Sequence, residues 1–317
     1  MRLLQFNSAT LPEDRWLALC RDAAEATIFH YPVWSRIWES VRPDTRAVWY
    51  VLVGENGEWQ GGMPLVEFSR FGIIRLYAQP QGSYGGWISR SQANDIHEIS
   101  ALIAQLVRRR VAEMVITPYP SDDRIMYPGH RVDRQRYVLD LSCGARWRNN
   151  IRPDVARNLK TAQQHQWRIS QMEHADEIGP LQGLLEQTAV RHGRRFHAVR
   201  LKFFRKIVEH FPVGRQLFWW IASDDNGPAA TIICFHAGDR FFYYDGAMDA
   251  AGKAGRPMYA LFEKAIDAAL GLGCRTFDFG SGPEQAEGLA RFKSGWGARP
   301  ETYYEYHFRR VWWPKRR

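Results

Sequence analysis

The sequence is poor in the features that most often announce a function. Only four of its 317 residues are cysteine (Cys20, Cys143, Cys234 and Cys274), and no two stand within five positions of each other. That argues against a disulfide scaffold and against a Cys-x-x-Cys metal or redox site, and leaves the four as small buried hydrophobes. Long apolar runs are missing too. The longest stretch without Asp, Glu, Lys or Arg, Leu76–Ser89, has 14 residues and contains Gln, Gly and Pro, whereas a membrane span needs about 18 or more apolar residues. The opening MRLLQFNSATLPEDR is too short in apolar residues for a secretory leader, so cytoplasmic residence is the expectation. There is no His-Glu-x-x-His and no His/Cys/carboxylate set with ligand spacing. His192 and His197, five apart, are poorly spaced for one helix face. No metal is therefore expected. No Gly-x-Ser-x-Gly elbow occurs, which removes the usual serine-hydrolase reading.

What is present describes a globular protein. The chain is 45% apolar and 24% charged, values of a folded soluble domain. At about 150 residues per domain the length suggests two. Lys and Arg outnumber Asp and Glu by 43 to 34, a net charge of +9. Such a balance favours anionic partners, whether nucleotide phosphates, RNA or a lipid surface. Thirteen tryptophans supply large surfaces for cores and pocket walls.

The hydrophobic pattern repeats one order of elements. In the first half, helices are expected at Glu13–Glu25 and from Pro32, where a missing N–H costs nothing. Strands follow at Ala47–Val53, Met63–Phe68 and Ile73–Tyr77, the first two joined by the Asn56-Gly57 hairpin signal. A helix at Asp95–Arg110 and strands at Val111–Thr117 and Arg136–Leu141 complete it. The second half opens with a basic helix over 146–165, interrupted by Pro153, and further helices near 176–192 and 201–210. Strands are expected at Gln216–Ser223, Ala229–Ala237 and Arg240–Ala247, then a loop, a helix at Pro257–Leu270 and a buried strand at Cys274–Gly280. This is an α+β pattern with a mixed sheet, used twice, with domains expected at 1–145 and 146–317.

Three segments carry candidate chemistry. The loop Ala250-Ala251-Gly252-Lys253-Ala254-Gly255-Arg256 precedes a helix N-terminus, and its small residues could turn backbone N–H groups toward a pyrophosphate. Its glycine spacing is neither a Walker loop nor a Rossmann fingerprint. The strand Phe277-Asp278-Phe279-Gly280 places an acid at its end. Lys293, one short helix later, is a cation able to stabilise an oxyanion; an Asp–Lys pair that only holds the loop is the alternative. From 146 to 165 five Lys/Arg face one acid, which suits phosphate binding or a plain solvated face. The basic, Trp-containing C-terminus, Arg309–Arg317, could rest on an anionic membrane.

Taken with Tyr137-Val138-Leu139-Asp140-Leu141-Ser142, Arg157-Asn158-Leu159-Lys160-Thr161-Ala162, Phe292-Lys293-Ser294-Gly295-Trp296-Gly297 and the early Thr27-Ile28-Phe29-His30-Tyr31-Pro32-Val33-Trp34, the sequence resembles the FemAB-like branch of the GNAT superfamily. That branch includes peptidoglycan-bridge aminoacyltransferases and CelD-like acetyltransferases. The resemblance touches both halves. It implies tandem GNAT-like domains, each a mostly antiparallel mixed sheet flanked by helices, and transfer of an acyl group to an amine. The donor site would lie in the second domain. The family's Phe-Lys falls on Phe292-Lys293, its basic helix on Arg157, Asn158 and Ala162, and its Asp-Phe-Gly on Asp278–Gly280. The acyl-CoA loop of ordinary GNAT enzymes is only loosely matched by Ala251–Arg256, and the coiled-coil arm of some bridge-forming members has no counterpart. Lys293, Asp278 and Asp245 are the expected catalytic residues. Gly252, Lys253, Gly255, Arg256, Tyr243 and Tyr244 are expected to bind an acyl-CoA cosubstrate, and Arg152, Arg157 and Lys160 the acceptor or a phosphate. The acceptor would be a small-molecule or envelope-precursor amine. An aminoacyl-tRNA donor and a non-catalytic binding module are the rival readings.

Overall fold

The computed structural model describes residues 2–80, 82–90, 99, 103–106, 111–119, 125, 127, 129–191, 193, 196–249, 254–282 and 287–310. The chain forms two compact units. One contains residues up to Arg134 together with the chain from Thr302; the other is Gln135–Glu301. This differs from the expected 1–145 and 146–317. The division falls within two strands, β7 (His130–Asp140) and β13 (Arg299–Arg309). The sequence reading began the first of these at Arg136 and did not anticipate the second.

In the first unit the sheet order is β1 (Arg2–Asn7), β2 (Thr45–Val53), β3 (Trp59–Arg70), β4 (Ile73–Ala78), β6 (Val111–Ile116), β13, with the short β5 (Ile88–Ser89) beside β3. Every pair is antiparallel except β4 with β6. Alternation along the strands loads both faces. Ala47, Trp49, Val51 and Val53 meet Trp16, Leu19 and Cys20 of α1 (Glu13–Asp22). Val48, Tyr50, Leu52, Met63 and Leu65 meet Ile99, Ile103 and Leu106. The expected helix Asp95–Arg110 lies largely outside the described residues. In α2 (Pro32–Val41), proline takes the first turn and Trp34, Ile37 and Trp38 are buried.

The second unit has the order β7, β12 (Thr276–Ser281), β11 (Arg240–Met248), β10 (Gly227–Ala237), β9 (Leu217–Asp224), β8 (Arg168–Gln171). Only β11 with β12 is parallel. The expected basic helix is broken as Pro153 requires: a 3-10 segment, Gly144–Asn150, precedes α3 (Pro153–His165). A second 3-10 stretch, Ala175–Leu181, leads into α4 (Gln182–Arg191), followed by α5 (Ala198–His210). The helix α6 (Pro257–Gly271) packs Leu261, Phe262, Ala265 and Ile266 on Phe218, Trp220, Phe241 and Phe277. On the alternate positions of the sheet, Trp219 meets Phe204 of α5 and Phe235 meets Phe211. The last helix, α7 (Glu287–Gly295), buries Lys293 and Gly295. The observed fold is α+β, with mostly antiparallel sheets flanked by helices. Among the described residues no helix is long and apolar enough to cross a membrane.

Candidate active site in the second unit

A buried ionic cluster forms where β12 ends. Asp278 and Arg136 are 2% and 5% exposed. Arg136 donates from Nη1 to Asp278 Oδ2 at 2.9 Å and from Nη2 to Glu301 Oε2 at 2.6 Å. Charges so far from water persist only when paired. The two strands are locally out of step: Asp278 pairs with Val138, but Ser281 pairs with Arg136. One extra residue on β12 makes a bulge, with Gly280 at φ +67° supplying the left-handed turn. The Gly280 N–H donates to Asp278 Oδ1 at 2.7 Å, so the carboxylate also pins the bulge.

Lys293 reaches the same turn from α7. Its Nζ donates to the carbonyl oxygens of Gly280 and Ser281 at 2.8 and 2.9 Å and lies 5.9 Å from the Tyr137 ring centroid. The residue is 2% exposed. Burial pushes its pKa down to about 8, against the opposing pull of the Asp278 charge. The structure thus brings Lys293 and Asp278 together on one residue, Gly280, one through its carbonyl and the other through its N–H. An ammonium has three donors. Carbonyls take two, and among the described residues the third meets no acceptor.

Beside this turn the parallel strands part. β11 and β12 pair only at Arg240–Phe242 with Thr276–Asp278. Among the described residues no further pair joins them, although β11 continues to Met248 and β12 to Ser281. On its other side β11 carries a bulge against β10: Cys234 pairs with Tyr243 and Ile233 with Asp245, leaving Tyr244 as the extra residue. Tyr243 packs on Phe262, ring centroids 4.9 Å apart, and Tyr244 on Phe235 at 5.6 Å, so the two point to opposite faces. Burial, aided by the Asp245 charge, raises both phenol pKa values and keeps them protonated. A Cβ at Gly246 would stand 2.7 Å from the Tyr243 hydroxyl oxygen, so the glycine makes room for that group. Asp245 is paired with Arg200 of α5 and accepts the Gly246 N–H at 2.9 Å.

The remaining expected residues are placed differently. Gly252 and Lys253 lie outside the described residues. Gly255 is a packing position. Its carbonyl accepts Trp167 Nε1 at 2.7 Å, and a Cβ there would stand 2.5 Å from the Trp167 ring. Arg256 takes the left-handed conformation, φ +54°, just before α6. Arg152 is engaged locally: its side chain holds Asp154 at 2.8 and 3.1 Å and its N–H donates to Gly295 O at 2.9 Å. Arg157 and Lys160 lie exposed on α3. Sequence reasoning missed Arg136, Glu301 and Arg200 as site residues. Their one signal, an arginine inside a strand or helix, does not identify its distant acid.

Residues 146–301 match the family model described as an acetyltransferase (GNAT) domain. That stretch, within the second unit, is similar to a GNAT acetyltransferase domain. The fold of the chain is similar to that of FemX at a TM-score of 0.71 and 11% identity, covering 96% of this chain and 97% of that one. It is also similar to a tandem GNAT protein from the clavulanic acid biosynthesis pathway, at a TM-score of 0.56, 11% identity and coverages of 97% and 98%. L-PGS from Bacillus licheniformis aligns at a TM-score of 0.55, 11% identity and coverages of 94% and 91%. No curated protein matches the sequence. These findings agree with the FemAB-like GNAT resemblance, and the identities, near one in nine, speak to fold rather than substrate.

Proposed function

We propose that the protein is an N-acyltransferase of the FemAB-like type, moving an acyl group from acyl-CoA to the amine of a small molecule or envelope precursor. The observation that carries this reading is the Lys293 ammonium. It is buried, fixed by two carbonyls just beyond the last β11–β12 pair, and among the described residues its third donor meets no acceptor. Among the described residues no further pair joins β11 to β12 there, and that opening suits the amide-bearing arm of an extended thioester donor, which would add as a short strand. The acceptor nitrogen attacks the thioester carbonyl carbon and gives a tetrahedral oxyanion. Lys293 stabilises that oxyanion; collapse breaks the C–S bond and releases the thiolate. Tyr243 and Tyr244 are protonated donors on opposite faces of β11, so one of them, not both, would orient the acyl oxygen or protonate the leaving sulfur. Asp278 is tied to Arg136 and Asp245 to Arg200, so neither is assigned as the base. The amine proton passes to water.

A second donor, aminoacyl-tRNA, is favoured by the exposed Arg157 and Lys160 on α3. Its binding would weaken steeply with salt, whereas acyl-CoA binding would depend on salt less. Thermal-shift titrations with acetyl-CoA, longer acyl-CoAs and charged tRNA separate the two, because a ligand that binds only the folded state raises its stability. Lys293→Met is expected to lower turnover about a hundredfold or more while leaving donor affinity nearly unchanged. Failure of every donor to stabilise the protein, with Lys293→Met behaving as wild type, would reduce it to a binding module.

A further inference from the structure

The β3–β4 hairpin of the first unit departs from its own turn chemistry. Its two central residues, Phe71 and Gly72, have φ of +52° and +74°. This is the two-residue geometry that favours Asn-Gly or Asp-Gly. A phenylalanine in the left-handed region is strained. Here its side chain is also 87% exposed, the most exposed large hydrophobic among the described residues. Folding gains nothing from either property.

The surroundings supply positive charge. The Arg70 guanidinium lies over the Phe71 ring, 5.0 Å from its centroid, and has no carboxylate in ion-pair range among the described residues. Behind the turn is a groove of about 580 Å³ whose walls include Arg42, Arg70, Arg75, Phe68 and Trp38. Asp44 is the one acid in that lining, and it is held by Arg42 at 2.8 and 3.0 Å. Arg75 is in turn 3.6 Å from Glu113, so of the three arginines Arg70 at the tip is the one whose charge no carboxylate offsets among the described residues, leaving the groove at +1.

We propose that this hairpin tip docks on an anionic phospholipid bilayer, with Phe71 entering the interfacial layer and the arginine groove receiving a lipid phosphate. A soluble phosphate would satisfy the arginines and leave Phe71 in water; a bilayer covers both. The proposal concerns the first unit and is independent of the acyl-transfer reading.

The test is flotation of the full chain with vesicles of phosphatidylcholine alone or mixed with phosphatidylglycerol, at low and high salt. Phe71→Asn restores a residue suited to the turn, so its melting temperature should equal or exceed that of the wild type. Its partition onto the anionic vesicles should fall at least about tenfold, the scale set by burying one Phe side chain. Arg70→Gln should lower the preference for phosphatidylglycerol, and salt should weaken wild-type binding. Absence of flotation, or equal flotation of wild type and Phe71→Asn, overturns the proposal. So does stabilisation by glycerol phosphate without vesicle binding, which would reassign the groove to a soluble ligand.

Discussion

Lys293 illustrates how a single side chain can be unfavourable to the fold and useful to the chemistry. Its pKa is lowered from 10.5 to about 8 by burial. Between those two values the unfolded chain holds a proton that the folded chain does not. Stability therefore rises with pH across that window, by about 3 kcal/mol in total. Below pH 8 both states are protonated and the cost of burying the ammonium is constant. Urea unfolding of wild type and Lys293→Met across the window should show this rise in the wild type only. Parallel curves would mean that the ammonium is not desolvated as its contacts indicate. At the same scale, Phe292-Lys293 and Asp278 were legible because the family resemblance marks them. Arg136 was not, since it acts on an acid 142 residues away and a sequence carries no sign of that pairing.

Among the elements, the regular ones were the most readable. Prolines at the starts of α2, α3 and α6 set their N-terminal turns, and the Asn56-Gly57 signal marked the β2–β3 hairpin. The strands β1 and β8 escaped because short edge strands lack the alternation that identifies a buried one, and β13 because charged residues interrupt its apolar pattern. Within the expected glycine cradle, Gly255 also has a packing reason to be glycine: a Cβ would meet the Trp167 ring at 2.5 Å and the His165 ring at 2.9 Å. The centroids of these two rings lie 4.0 Å apart, their planes tilted by 34°. Gly255→Ala should cost about 1–3 kcal/mol by overpacking, measured by chemical denaturation. A neutral result would return this glycine to the donor-binding reading.

For the whole molecule, tandem organisation was visible as the repeated order of elements, but the path of the chain was not. The first unit reclaims the chain from Thr302, where Tyr306, His307, Phe308 and Arg309 pair with Ile116, Val115, Met114 and Glu113. Removing residues 302–317 should therefore destabilise the unit that is remote in sequence. Hydrogen exchange should report lost protection in Val111–Ile116 while α6 and β9–β11 stay protected. The reverse pattern would contradict this division of the chain.

The same excursion constrains biogenesis. A ribosome delivers Gln135–Glu301 as one uninterrupted stretch, so that part can mature during translation. The portion made earliest must wait, its sheet edge at β6 uncovered, until the segment after Thr302 emerges. What is synthesised first is completed last, and throughout that interval the waiting strand is the place where a chaperone would bind or a neighbouring nascent chain would aggregate.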